Sequence, residues 1–352
     1  MEGHYFDVYK GKTVLVTGHT GFMGSWLTET LNLMGAVVVG FSLDPPTVPN
    51  MYEITGLDKK VTSIKGDVKD LQALKSTLSE FSPDFVFHLA AQSLVLKSFE
   101  VPVETFSTNV MGTVNILESL RGAKNIKSIV VVTSDKSYKN KGWEYPYREI
   151  DELGGRDPYS ASKSCADVVV NSYRESFFTG AGIGLSSVRA GNIIGGGDFA
   201  DNRLIPDLVR SLMKEEPLRI RNPDSVRPWQ HVLDPINGML KLAQLMNENP
   251  LKYSANWNLG PLDSAVSAKY LVDRCIDKFG RGSYVVEQST LVQEEKILKL
   301  DINKAMDQLK WKPVWSIETA LSRTVEWYEA YLENLDMGKV TTHQIYDFYG
   351  KE

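Results

Sequence analysis

Short apolar runs rich in Val, Ile and Phe recur through the first half of the chain, each bounded by glycine or polar residues. The runs at 13–17, 37–41, 85–89, 129–133 and 183–189 carry no polar alternation, the mark of strands buried on both faces. Between them, 22–34, 70–81, 102–121 and 158–178 place apolar residues at three- and four-residue spacing, the period of a helix with one buried face. Strand and helix alternating in this way predict a doubly wound parallel α/β sheet. Beyond about residue 191 the pattern breaks up: Gly195-Gly196-Gly197 and prolines 206, 217, 223, 228 and 235 punctuate shorter elements. Helical spacing returns at 234–248, 267–279 and 317–334. The expected division is a sheet domain over 1–190 and a smaller mixed α/β lobe over 191–352, with the chain free to cross back between them.

With 352 residues, 42% of them hydrophobic, the chain can bury a substantial core. A net charge of -5 offers no basic footprint for a phosphate backbone, which argues against nucleic acid as a partner but leaves room for a small anion at a local cationic site. Two cysteines, Cys165 and Cys275, make neither a disulfide framework nor a metal-ligand set, and suit a reducing compartment. Residues 1–11 lack a basic stretch leading into an apolar one, and no window is long and apolar enough to span a bilayer. The expectation is a cytoplasmic protein with no membrane and no metal.

The first strand runs directly into Gly18-His19-Thr20-Gly21-Phe22-Met23-Gly24, and a helical pattern follows at once. In that context the glycines have separate uses: Gly18 for a tight turn, Gly21 for close approach of backbone N–H groups to a pyrophosphate, Gly24 for packing of helix on strand. The helix N-terminus adds a partial positive charge. About twenty residues on, the second strand ends at Asp44, where a carboxylate can accept the adenine ribose hydroxyls and would repel the extra phosphate of NADP. This is a Rossmann-type site for NAD.

Arg156-Asp157-Pro158-Tyr159-Ser160-Ala161-Ser162-Lys163 puts an N-cap at Asp157 and a proline in the first turn, with Tyr159 and Lys163 four apart on one helical face. A lysine ammonium beside a phenol is expected to lower its pKa, fitting Tyr159 to accept a proton from a substrate hydroxyl. At the end of the strand at 129–133, Thr133 can hydrogen-bond the reacting hydroxyl, and Asp135 with Lys136 sets an acid and a base side by side. Simple alcohol oxidation has no use for that second pair. His88, ending an apolar strand, reads as a packed histidine rather than a catalyst.

Thr17-Gly18-x-x-Gly21-x-x-Gly24, Gly66-Asp67-Val68, His88-Leu89-Ala90-Ala91, Asn109 and Tyr159-x-x-x-Lys163, spread over at least 12–234, resemble the extended short-chain dehydrogenase/reductase family. The resemblance implies a cofactor site made of Gly18, Thr20, Gly21, Phe22, Met23, Gly24, Asp44, Asp67, Val68, Leu89, Ala90, Ala91, Asn109, Thr133, Tyr159 and Lys163. Within that family, His19 through Trp26, Thr133-Ser134-Asp135-Lys136, Arg189-Ala190-Gly191-Asn192 and Arg227-Pro228-Trp229-Gln230-His231-Val232 are similar to the nucleotide-sugar 4,6-dehydratases. Relatives acting on deoxythymidine sugars characteristically show Asp-Glu at 135–136, so Lys136 points to the cytidine branch and CDP-glucose. The implied reaction is oxidation at carbon 4 through Tyr159, loss of water across carbons 5 and 6 with Asp135 as acid and Lys136 as candidate base, and reduction at carbon 6.

Substrate diphosphate needs cations outside the sheet domain. Arg203, Arg219, Arg221 and Arg227 cluster in the proline-rich region, and with Gln92 and Asn192 they are the candidate substrate ligands, Arg227 and Asn192 foremost. The segment Glu294-Glu295-Lys296 through Asp301 resembles the stretch that closes over the nucleotide in relatives, with Lys296 where a histidine is expected. Helices 102–121 and 158–178 correspond to the pair that relatives use as a dimer contact. A 4-epimerase or reductase on the same fold, or a dinucleotide-binding protein without catalysis, would share the glycine loop. Only the dehydratase reading uses Asp135 and Lys136.

Overall fold

The structure is a computed structural model that describes residues 7–262, 265–287 and 297–350. The five strands read from the sequence are joined by two more in one sheet of seven parallel strands: β1 (Thr13–Thr17), β2 (Val37–Ser42), β3 (Thr62–Lys65), β4 (Phe85–His88), β5 (Ser128–Val132), β6 (Gly184–Ala190) and β7 (Asn256–Leu259). Their spatial order is β7-β6-β5-β4-β1-β2-β3. Each neighbouring pair is parallel. The order reverses between β1 and β4, and that is the point where a doubly wound sheet opens a crevice at its carboxyl edge.

Alternate residues of the central strands feed two cores. Val14, Val16 and Val130 point into one, Leu15, Ile129 and Val131 into the other. On the second face lie α2 (Leu71–Phe81), α3 (Gly112–Leu120) and α4 (Pro158–Tyr173), contributing Leu74, Ile116 and Val170. The first face is covered by α1 (Phe22–Leu33) and by the C-terminal part of the chain. There α6 (Leu233–Glu248), α8 (Ile317–Leu332) and α9 (Met337–Tyr349) bury Met239, Trp327 and Phe348 in the same cluster as Trp26. Residues beyond 190 thus complete both the sheet, through β7, and its core.

The remaining C-terminal elements are α5 (Leu204–Lys214), α7 (Ala268–Phe279) and three two-stranded pairings: Ile193–Ile194 with Gln230–His231, Val226–Arg227 with Val266–Ser267, and Leu218–Ile220 with Tyr284–Val286. Two helices expected to be continuous are interrupted by π-turns, at Ser107–Met111 and Arg174–Phe178. In the first, buried Asn109 is turned to bond Gln92 and Ser162. In the second, Arg174 reaches the Leu185 carbonyl and Asn256. One added residue per turn re-aims a side chain that a regular helix would point elsewhere.

No helix among the described residues is long and apolar enough to cross a membrane. Cys165 is exposed and Cys275 buried, both free.

Candidate active site

Five loops at the carboxyl edge of the sheet carry the residues singled out above. The glycine loop follows β1, Asp44 follows β2, Leu89 to Gln92 follow β4, Thr133 to Lys136 follow β5, and Asn192 follows β6. Gly18 has φ +76°, and a Cβ there would lie 2.7 Å from the Ala90 nitrogen; one on Gly24 would lie 2.0 Å from the Gly18 carbonyl oxygen. Neither position admits a side chain. A Cβ on Gly21 would meet nothing nearer than 3.4 Å. Gly21 therefore faces open space at the start of α1, where it is the N-cap and no side chain caps the helix. The first-turn N–H groups, from Phe22, Met23 and Gly24, are left for an anion. These features fit the pyrophosphate of a dinucleotide.

The rest of that site is braced from behind. The Thr20 hydroxyl lies 2.8 Å from that of Ser42 and donates to the Leu43 carbonyl at 3.1 Å. Leu89 and Ala90 bond back to Thr17, and Ala91 continues the turn they begin. Asp67 accepts from the Lys69 amide at 2.9 Å, and buried Val68 packs against Gly112. Asp44 is largely exposed and ion-paired with Lys65. His88 is buried between Thr17, at 2.7 Å, and Thr113, with its pKa pushed down to about 3 by burial, so it is a neutral packed imidazole.

Tyr159 sits in the first turn of α4, whose N-cap Asp157 accepts from the Ser160 amide at 2.9 Å and whose Pro158 is fixed for helix entry. Its phenol is buried beside Ser134, Asp135 and Arg203, which all act on it electrostatically. Burial raises its pKa to about 12, while the Ser134 hydroxyl, hydrogen-bonded to it, pulls the other way. The expected acidification by Lys163 is not realised. That ammonium donates to the Val132 carbonyl at 3.1 Å. Burial lowers the Lys163 pKa to about 8, opposed by the carboxylate of Asp167 one turn on.

Thr133 also departs from expectation. Its hydroxyl donates to the Val188 carbonyl at 3.2 Å inside the sheet, so it is Ser134, the next residue, that faces Tyr159. Ser134 also caps the short 3-10 turn Asp135–Ser137, accepting from the Lys136 amide at 3.1 Å and donating to an Asp135 oxygen at 3.1 Å. The other Asp135 oxygen is buried with no hydrogen-bond partner among the described residues. Burial holds this carboxyl above the usual carboxylate range, against the pull of Lys136, Ser134 and Arg227. Lys136 is half-buried beside it.

The candidate substrate ligands divide. Arg227 is buried close enough to act on Asp135, and Arg203 donates to Asp198 at 2.9 Å and to Ser93 at 3.1 Å while neighbouring Tyr159. Asn192 accepts from the Gln230 amide through its backbone, which leaves its side chain half-buried at the crevice edge. Gln92 is committed internally: its amide donates to Leu94 and Thr105 and accepts from the Leu94 N–H. Arg219 pairs with exposed Glu287, and Arg221 with Asn202. Glu294, Glu295 and Lys296 lie outside the described residues.

Behind the site runs a network that the motifs did not announce. Arg189 on β6, fully buried, pairs with Asp167 at 3.0 Å and donates to the Tyr138 hydroxyl at 2.9 Å. Asp167 also accepts from Ser187, and Tyr138 donates to Asn258 on β7 at 2.7 Å. The network thus ties α4, which carries Tyr159 and Lys163, to the end of the turn that carries Asp135 and Lys136.

A model of the GDP-mannose 4,6 dehydratase family matches residues 15–324. CDP-glucose 4,6-dehydratase of Salmonella typhimurium is 46% identical over 349 residues, covering 97% of this chain and 97% of that protein. A dTDP-glucose 4,6-dehydratase of Xanthomonas campestris pv. campestris is 26% identical over 332 residues, 90% of this chain and 93% of that one. Among solved structures, dTDP-glucose 4,6-dehydratase of Bacillus anthracis in complex with NAD superposes with a TM-score of 0.78 at 22% identity, over 93% of this chain and 100% of the other. UDP-glucose 4-epimerase of Thermotoga maritima does so with 0.80 at 21%, over 91% and 99%.

Proposed function

Because the chain belongs to the GDP-mannose 4,6 dehydratase family, we propose that its convergence of Tyr159, Ser134 and Asp135 in one buried site performs a nucleotide-sugar 4,6-dehydration on CDP-glucose. The product is CDP-4-keto-6-deoxyglucose. That convergence is the observation that carries the reading: a phenol with a hydroxyl beside it for one sugar carbon, and an acid–base couple next to it for another.

NAD, when bound, supplies the acceptor and donor of hydride that the sugar requires at carbons 4 and 6. The glycine loop and first turn of α1 would hold its pyrophosphate, and Asp44 would accept the ribose hydroxyls at its adenosine end. Tyr159 takes the proton of the sugar's 4-hydroxyl as a phenolate, a form that burial disfavours and that the Ser134 hydroxyl and the positive charge of NAD, when bound, would favour; Ser134 also holds the sugar hydroxyl in line. Lys163, its ammonium held on the Val132 carbonyl, sets a positive charge at the end of β5 rather than on the phenol. Asp135, whose carboxyl burial pushes above the usual carboxylate range, is the acid toward the hydroxyl that leaves carbon 6, and Lys136 is the candidate base for the proton acidified at carbon 5 by the neighbouring ketone, a role that requires its amine to be neutral when the proton is taken. Arg203 and Arg227 hold the diphosphate.

Cytidine is favoured by the 46% likeness to a protein of that activity, along with Lys136. The exposed apolar side chains of the helices at 102–111 and 158–178, among them Val103, Met111, Val168 and Phe177, support a homodimer, with the cytoplasm as its place.

Incubating the pure protein and NAD with CDP-, dTDP-, UDP- and GDP-glucose, and weighing the products by mass spectrometry, tests the reading. CDP-glucose should lose one water. An unchanged mass would mark epimerisation, and consumption of external NADH a reductase. Tyr159→Phe should abolish the water loss; near-normal dehydration by that variant would refute the assignment.

A further inference from the structure

The sequence places an acid, Asp44, where a dinucleotide's adenine ribose is held, and an acid there disfavours the 2′-phosphate of NADP. In the fold that acid does not stand alone. Lys65, the last residue of β3, is the register partner of Ser42 at the end of β2, which brings the two strand ends side by side. From there its ammonium reaches Asp44 at 2.5 Å, with the two side chains 71% and 72% exposed. The hydroxyls of Thr20 and Ser42, 2.8 Å apart, lie at the same strand end.

Resting on the cofactor reading above, we infer that Lys65 selects the cofactor: it neutralises Asp44 and presents a cation where a 2′-phosphate would lie, so that the site binds NADP as well as NAD. An ion pair this exposed is weakly held, so Lys65 can exchange its carboxylate for a phosphate at little cost. When NAD is the ligand there is no phosphate to draw Lys65 away, and Asp44 accepts from the ribose hydroxyls with Lys65 still beside it. The same cation serves both forms, and without it the lone carboxylate repels one of them.

Binding is measured directly, by calorimetric titration of the purified protein with NAD and with NADP at low and moderate salt. The wild type should bind NADP within about tenfold of NAD. Lys65→Ala, a change at an exposed position, should weaken NADP by on the order of tenfold while NAD moves by less than about threefold, and the salt dependence of NADP binding should flatten. Lys65→Arg should keep the wild-type ratio. An NADP-to-NAD ratio equal in the wild type and Lys65→Ala would overturn the inference while leaving the cofactor site intact. Binding of neither dinucleotide by the wild type would overturn both.

Discussion

Ser134 and Thr133 are adjacent hydroxyls at one strand end, and only the direction of their side chains tells them apart. Thr133 turns back to the Val188 carbonyl, whereas Ser134 touches the phenol of Tyr159. Ser134→Ala should therefore lower kcat by about 10²-fold or more, and Thr133→Val by under about tenfold, in steady-state kinetics. The motif brought both residues into view but could not choose between them, because choosing needs the exact residue at which β5 ends. Lys163 makes a second residue-scale prediction. It carries its ammonium below a pKa of about 8, a value set by burial, and loses it as pH rises through that point. If the reaction needs the charge, the pH profile of turnover should fall on its alkaline side near 8. A flat profile up to pH 10 would show that the charge is dispensable.

At the level of elements, α4 and β6 are joined by a buried ion pair, Arg189 with Asp167, in which each charge is the other's counter-ion. Arg189→Met would leave Asp167 buried without its cation, at a cost of about 3–5 kcal/mol; Asp167→Leu combined with Arg189→Met should recover most of it. Urea unfolding of the three proteins checks this, and equal loss in single and double variants would show that the pair does not act as a unit. The long elements were legible in the sequence because burial on both faces, or on one helical stripe, left an apolar period. Where other forces act, the period fades. β3 (Thr62–Lys65) is an edge strand with most of its side chains exposed, so it has no apolar run. β7 (Asn256–Leu259), the other edge strand, is largely buried, but Asn256 and Asn258 spend their amides on Ser187, Tyr138 and the Tyr147 carbonyl, and so read as a loop. The π-turns were invisible for a related reason: they serve the bonds of Asn109 and Arg174, which are tertiary.

Across the whole molecule, the helices at 102–111 and 158–178 expose Val103 at 82% and Val168 at 57%. In the homodimer proposed above these side chains would meet a second copy. Val103→Glu with Val168→Glu should give a protein of unchanged circular dichroism but monomeric mass by light scattering. A dimer that survives both charges would place the contact elsewhere. The sheet itself sets a further condition. β6 ends at Ala190, yet the strand that pairs with it begins only at Asn256. During synthesis, then, the ribosome must release more than sixty residues while the flank of β6 stays open, its unpaired backbone a template for any passing strand. A chain cut short in that interval would carry the complete glycine loop, the Asp135 turn and α4, and still be a seed for aggregation rather than a smaller enzyme.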